Sequence, residues 1–218
     1  MRSRPRLTFF LDVDNTLLNN DAAKAEMDRR LRQLLGEDGA AGFWRMYEEI
    51  RVEETVVDIP TTIARYCAIH GSPELRFGLA DLFMKFDFAG FVYPEASVAL
   101  RHLQSLGATA ILSDGDPVFQ ISKIHRSGLA EAVGGNVIVY PHKDKHLLEI
   151  TAAFPADHFV FIDDKPSVLE KIAGGLTAPF STVFIRQGKY ALETHDGFTP
   201  TLSIGVLSDL LAITDWSG

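Results

Sequence analysis

The chain reads as an α/β protein built on a parallel sheet, with an all-helical segment inserted after the first strand. Three observations predict this. Short apolar runs (Leu7–Val13, Ala108–Leu112, Val137–Tyr140, His158–Ile162 and Thr182–Ile185) alternate with stretches of helical periodicity, as in βαβ units. No strand-like run appears between about 19 and 90. Polar residues follow most of the runs, which is where a parallel sheet gathers its ligands, beyond the carboxyl ends of its strands. A length of 218 residues, 46% of them apolar, allows one large domain or a core with a smaller insert.

Leu7–Val13 does not alternate, so it reads as a fully buried strand. Met27, Leu31, Leu34 and Leu35 then follow helical spacing, which Phe43, Tyr47 and Ile50 repeat. Ile59–His70 and Pro73–Phe88 are helical too. From Tyr93 the pattern changes. Pro94 suits a first helical position, and Ala96, Ala99, Leu100, Leu103 and Leu106 form one stripe closed by Gly107. Ala108–Leu112 is a strand. Asp116-Pro117 joins an N-cap to a first-turn proline, starting a helix to about Ser127. Val137–Tyr140 is a strand, Lys145–Ala153 a helix, His158–Ile162 a strand, Pro166–Ala173 a helix, Thr182–Ile185 a strand, and residues 203–213 a last helix. Gly134-Gly135-Asn136 and Gly174-Gly175 are turns.

Composition excludes several function classes. A net charge of −8 argues against nucleic acid or an anionic membrane as a main partner, and the basic cluster Arg2–Arg6 reads as a frayed terminus. No apolar run approaches the roughly 18 residues of a membrane span. Leu7–Leu11 is too short for a signal peptide and runs into two Asp. The single cysteine, Cys67, forms no intrachain disulfide, suits a reducing cytoplasm, and reads as a small buried hydrophobe. Monomer and small homo-oligomer both stay open.

The chemistry starts at Phe9-Phe10-Leu11-Asp12-Val13-Asp14-Asn15-Thr16. Alternate side chains of a strand share a face, so Asp12 and Asp14 leave a buried strand end close together. Paired carboxylates raise each other's pKa unless a cation relieves them, and a hard divalent metal does so best. The other strand ends add Ser113, Asp114, Gly115 and Asp116, then His142, Lys143 and Lys145, then Asp163 and Asp164. Carboxylates with a hard cation, a hydroxyl and a lysine can hold a phosphate, and an Asp can attack it. His142 and His146 sit four apart, but no further ligand has matching spacing, so zinc is rejected.

The set Asp12-x-Asp14-x-Thr16, Ser113, Lys143 and Asp163-Asp164 resembles all four motifs of the haloacid dehalogenase (HAD) superfamily, in order and over nearly the whole chain. Ile111–Asp116 and Arg186-Gln187-Gly188-Lys189-Tyr190 are similar to a bacterial branch of those hydrolases. The resemblance implies a Rossmann-like three-layer α/β/α core of residues 1–18 and 91–218, with the first strand central. Residues 19–90 would form a small helical (C1-type) cap that closes over the site and selects substrate.

It also implies roles. Asp12 would be the nucleophile and a Mg²⁺ ligand. Asp14 would be general acid and then general base, its backbone carbonyl also on the metal. Thr16 would tie down the turn through its hydroxyl. Ser113 and the backbone N–H of Asp114 would bind the transferring phosphoryl group. The motif lysine is Lys143 rather than Lys145. Family members commonly place apolar residues about four and seven positions on, and from Lys143 these are Leu147 and Ile150. Asp164 would bind metal directly and Asp163 through water, with the reverse possible. Phe43, Trp44 and Tyr47 are expected in the core of the insert, and Arg45, Arg51 and Arg65 on the surface.

The expected function is Mg²⁺-dependent hydrolysis of a small phosphorylated metabolite through an aspartyl-phosphate. Phosphomutase action is the first rival, since the motifs do not decide whether water or a second hydroxyl attacks the intermediate. Haloacid dehalogenation is weaker: a halide needs no proton, and members that cleave carbon–halogen bonds generally lack an Asp two residues after the nucleophile. A non-catalytic binding protein of this fold is the rival from another class.

Overall fold

In the computed structural model, residues 6–54, 58–71, 73–192 and 197–216 are described. Six parallel strands form one sheet in the order β3-β2-β1-β4-β5-β6: β1 (Leu7–Leu11), β2 (Gly107–Asp114), β3 (Val137–Tyr140), β4 (His158–Asp163), β5 (Phe180–Ile185) and β6 (Leu202–Ile204). The first strand is central, between β2 and β4.

β1 has no polar face because both its faces are covered. Phe9 and Leu11 pack on one side with Leu100 and Leu103 of α4 (Ala96–Leu106) and with Phe119 and Ile124 of α5 (Pro117–Arg126). Phe10 packs on the other side with Leu147 and Ile150 of α7 (Leu147–Ala153) and with Leu169 and Ile172 of α8 (Pro166–Gly175). A short α6 (Leu129–Ala132) lies beside α5. The result is a three-layer α/β/α fold. Each buried Phe of this sheet contributes about 1.5–3 kcal/mol.

Between β1 and α4 come α1 (Asn20–Glu53), α2 (Ile59–His70) and α3 (Pro73–Met84). α1 kinks at Gly36, whose φ of 73° and ψ of 174° leave helical space, so its two halves carry the separate apolar stripes. Aromatic rings fasten the three helices together. Phe43 stacks on Phe83 with centroids 5.1 Å apart, and meets Tyr66 edge-on at 5.5 Å. α2 and α3 also rest on α5, so this apolar cluster is continuous with one face of the sheet. No described helix is long and apolar enough to cross a membrane.

Several boundaries differ from expectation. β1 stops at Leu11 rather than Val13, because the Val13 carbonyl turns inward to accept from the N–H groups of Thr16, Leu17 and Leu18. α3 ends at Met84, and the following chain buries Phe86 and Phe88 without helical structure. α4 begins at Ala96, since Tyr93 N–H is committed to the Leu17 carbonyl and Pro94 lies in the turn before the helix. Lys143–Lys145 forms a 3₁₀ turn, and the helix starts at Leu147. The last helix over 203–213 is replaced by β6 and a 3₁₀ segment, Leu207–Ala212. Edge pairing with β5, extended by mutual hydrogen bonds between Thr182 and Thr201, overrides the local pattern.

Candidate active site

The carboxyl ends of β1, β2, β3 and β4 bring together Asp12, Ser113, Asp114, Lys143, Asp163 and Asp164. Parallel register does this directly: Leu11 is level with Ile111 and Ile162, so the residues just beyond emerge on one rim. Lys143, from the turn after β3, is buried at the centre. Its Nζ donates to Asp12 Oδ1 at 2.8 Å, Asp163 Oδ2 at 2.7 Å and the Leu112 carbonyl at 3.1 Å, and its backbone N–H donates to Asp114 Oδ1 at 2.8 Å. Lys145, two residues on, is exposed. The apolar spacing that singled out Lys143 corresponds to Leu147 and Ile150, the buried residues of α7.

Asp12, Asp163 and Asp164 are all buried, and one carboxylate oxygen of each lies within 4.8 Å of the others. Asp163 is fully engaged, with Oδ2 on Lys143 and Oδ1 accepting from the backbone N–H of Lys165 at 2.9 Å. Asp12 Oδ2 and both oxygens of Asp164 have no hydrogen-bond partner among the described residues. Unpaired buried carboxylate oxygens are costly, so the cluster is suited to a cation. Three hard oxygen donors fit a hard divalent ion such as Mg²⁺ or Ca²⁺ better than a soft one.

The electrostatics show the same strain. Burial pushes the Asp12 carboxyl up to about 6; Lys143 opposes this and Asp163 adds to it. Burial pushes Asp164 up to about 9, opposed by Lys165 and reinforced by Asp163 and Asp12. Burial alone would lower Lys143, but the charges of Asp12 and Asp163 hold it well above the usual lysine range.

Asp14 faces a different environment, one that the sequence reading missed. Lys123 Nζ donates to its two oxygens at 2.8 and 3.0 Å and to Asn20 Oδ1 at 3.2 Å. Gln120 Nε2 donates to Asp14 Oδ2 at 3.2 Å, Ser113 Oγ at 3.1 Å and the Asp114 carbonyl at 2.9 Å. Burial pushes Asp14 up, but the charge and hydrogen bond of Lys123 outweigh it, so the carboxyl lies below its ordinary value. Gln120 and Lys123 are one helical turn apart on α5 and buried beside Phe119 and Ile124. Two polar residues at i and i+3 on an apolar face were the available signal.

Thr16 departs from expectation. Its hydroxyl has no partner among the described residues, and the turn is tied by backbone hydrogen bonds to Val13. Asn15 contributes instead: at a φ of 59° it accepts from Asp21 N–H at 3.2 Å and donates to Asp21 Oδ1 at 3.3 Å.

A cleft of about 530 Å³ opens beside the strand ends, lined by Asp14, Asp114 and Lys165 and by Trp44, Tyr47 and Arg51 of α1. Phe43 is buried in the helical core as expected, but Trp44 and Tyr47 both pack there and reach the cleft. Arg51 also reaches the cleft, whereas Arg65 pairs with Glu53 on the surface. His142 lines the cleft; His146 stacks on Tyr140 at 4.0 Å and contacts Glu149, away from the acidic cluster.

No protein-family model and no curated protein matches the chain. Solved structures do. A protein of Burkholderia xenovorans LB400 described as a haloacid dehalogenase-like hydrolase is 34% identical, with a TM-score of 0.89, over 96% of this chain and 99% of that one. The HAD-hydrolase YfnB of Bacillus subtilis, solved bound to magnesium, shares the fold at 18% identity and a TM-score of 0.66, over 96% of this chain and 100% of that one. The L-2-haloacid dehalogenase of Xanthobacter autotrophicus, solved with chloropropionic acid covalently bound, does so at 16% and 0.63, over 94% and 96%. With a third of its residues identical to the Burkholderia protein over almost its full length, and the same fold throughout, the chain belongs to the haloacid dehalogenase-like hydrolases.

Proposed function

We propose that the protein hydrolyses a small phosphomonoester in a Mg²⁺-dependent reaction, with Asp12 as nucleophile and residues 19–90 as a cap over the core of 1–18 and 91–218. The observation that carries this reading is the position of Asp14. It is a second carboxyl two residues beyond the nucleophile, lining the cleft and held by Lys123. Phosphoester cleavage needs a proton for the leaving oxygen, and halide departure does not.

Asp12, Asp164 and the Asp14 backbone carbonyl would hold the ion directly. Asp163, whose two oxygens are already engaged, would hold it through water. When bound, Mg²⁺ supplies positive charge that offsets the phosphate and the crowded carboxylates. Lys143 holds Asp12 Oδ1, the oxygen that would also face the ion, which leaves the unpartnered Oδ2 to attack phosphorus. Ser113 Oγ already accepts from Gln120, so its own proton is available for a phosphoryl oxygen, beside the Asp114 N–H.

In the first half-reaction an Asp12 oxygen–phosphorus bond forms, the ester oxygen–phosphorus bond breaks, and Asp14 gives the leaving oxygen its proton. Phosphate dianion arriving beside Asp14 favours the protonated form needed there. In the second, Asp14 takes a proton from water as the water oxygen attacks phosphorus, and Asp12 is released.

Purified protein should hydrolyse p-nitrophenyl phosphate with Mg²⁺, and neither with EDTA nor as Asp12→Asn. Activity surviving either change would refute the mechanism. Chloride release from L-2-chloropropionate, without phosphatase activity, would replace the reading by dehalogenation.

A further inference from the structure

The cleft has a cationic corner that the proposed chemistry does not use. On a chain of net charge −8, Lys24 and Arg51 of α1 meet Lys189 at one side of the opening. The phosphoryl-handling groups Asp12, Ser113 and Lys143 lie instead at the sheet rim. Lys24 Nζ lies over the rings of Tyr47 and Trp44, 4.6 and 4.9 Å from their centroids, and its nearest carboxylate oxygen, on Glu48, is 3.9 Å away. That Glu48 is already paired with Arg51 at 2.7 Å. Lys189 Nζ lies over Tyr190, 4.7 Å from the ring centroid. Asp21, nearby, is taken up by Asn15 and by the backbone N–H of Lys189 at 2.8 Å.

The corner is built, not incidental. The 3₁₀ turn Gly188–Tyr190 sits so close to the first-strand loop that a Cβ on Gly188 would come 2.3 Å from the Asn15 side chain, and its φ is +63°. Only glycine allows that approach. It brings Lys189 beside Lys24, 165 residues earlier in the chain. Lys24 is pulled below the usual lysine range, chiefly by burial and then by Lys189 and Arg51, with Glu48 opposing. An anion placed there would meet Lys189 and Lys24, with Arg51 beside them shared with Glu48.

We propose that the substrate carries a second anionic group, a carboxylate or a second phosphate, which Lys24, Lys189 and Arg51 receive while its body lies against Trp44 and Tyr47. This rests on the phosphatase reading only for the identity of the first group.

Matched pairs test it: phosphoglycerate against glycerol phosphate, phosphogluconate against glucitol phosphate, and fructose bisphosphate against fructose monophosphate. The first two pairs probe a carboxylate at short and long reach, and the third probes phosphate. Binding is read on Asp12→Asn protein by intrinsic fluorescence, since Trp44 lies under Lys24 while Trp216 is buried against Phe9. Turnover on wild type is read in parallel. At least one member with the second anionic group should bind about 10–100-fold more tightly than its partner. That ratio should collapse in Lys24→Met/Lys189→Met and return in Lys24→Arg/Lys189→Arg. Ratios near one for all three pairs, or a ratio untouched by the double Met variant, would overturn the proposal. Discrimination in binding without any phosphate release would leave the anion site standing and remove the phosphatase reading. Turnover of p-nitrophenyl phosphate with ratios near one would do the reverse.

Discussion

Loading the acidic cluster with Mg²⁺ must expel protons, and two carboxyls determine how many. A cation binds ionised carboxylates, so any proton they hold beforehand has to leave. Asp164 has neither oxygen partnered and is pushed up to about 9 by burial, despite Lys165. Asp12 is pushed up to about 6, again chiefly by burial and despite Lys143. Between these values the metal-free protein keeps the Asp164 proton and has lost that of Asp12. Binding there should release about one proton, and affinity should rise about tenfold per pH unit. Below about pH 6 Asp12 is protonated too, and the dependence should steepen towards a hundredfold per unit. Above about pH 9 it should flatten. At pH 7 the Asp164 proton alone weakens binding by about a hundredfold. Titration calorimetry with MgCl₂ at about pH 6.5, 7.5 and 8.5, in two buffers of different protonation enthalpy, counts the protons directly. Asp164→Asn should bind more weakly and lose most of the pH dependence over that range. Wild-type affinity that is flat from pH 6.5 to 8.5, with no proton released, would refute the reasoning.

Two further predictions concern the lysines. Lys143→Met strands the buried Asp12 and Asp163 without their shared cation. In metal-free protein it should cost about 3–5 kcal/mol in urea unfolding, while Lys145→Met at an exposed site stays within ~0.5 kcal/mol, and equal effects would refute the assignment. Lys123→Met removes the strongest charge that lowers Asp14 and leaves Lys165 and Gln120 against its burial, so its carboxyl rises. Because the proposed mechanism needs Asp14 ionised to activate water, the acid limb of the kcat–pH profile should move to higher pH, and an unmoved limb would remove Lys123 from this role.

What could be read from the sequence was local. The Asp116-Pro117 start of α5 is decided by neighbours in the chain: Asp116 accepts from Phe119 N–H at 2.8 Å, as an N-cap does. Lys143 was separable from Lys145 because Leu147 and Ile150 mark the buried face of the next helix. β6 was lost because it is three residues long and exists only by pairing with β5. Thr16 was misjudged because a motif position predicts a hydroxyl's presence and not its bond. Lys123 was missed because its partner Asp14 lies 109 residues away, and the place of Lys189 beside the first-strand loop because Asp21 lies 168 away. Contacts of that span belong to the sheet order, which places β1 between two later strands.

Asp12 and Asp14 make the point most sharply. They leave the same strand two residues apart, and both start from burial that pushes a carboxyl upward. Asp12 stays raised, because Lys143 is shared with Asp163 and cannot neutralise both. Asp14 ends below its ordinary value, because Lys123 serves it with two hydrogen bonds and no competing carboxylate. Pushing two neighbouring carboxyls in opposite directions is how a site assigns different proton duties to the same residue type. The Asp-Val-Asp run alone contains no such asymmetry. An apolar residue at 123 would remove the strongest charge that separates the two, leaving only Lys165 and Gln120 to oppose the burial of Asp14. In the proposed mechanism the difference between nucleophile and proton carrier therefore lies in α5 as much as in β1.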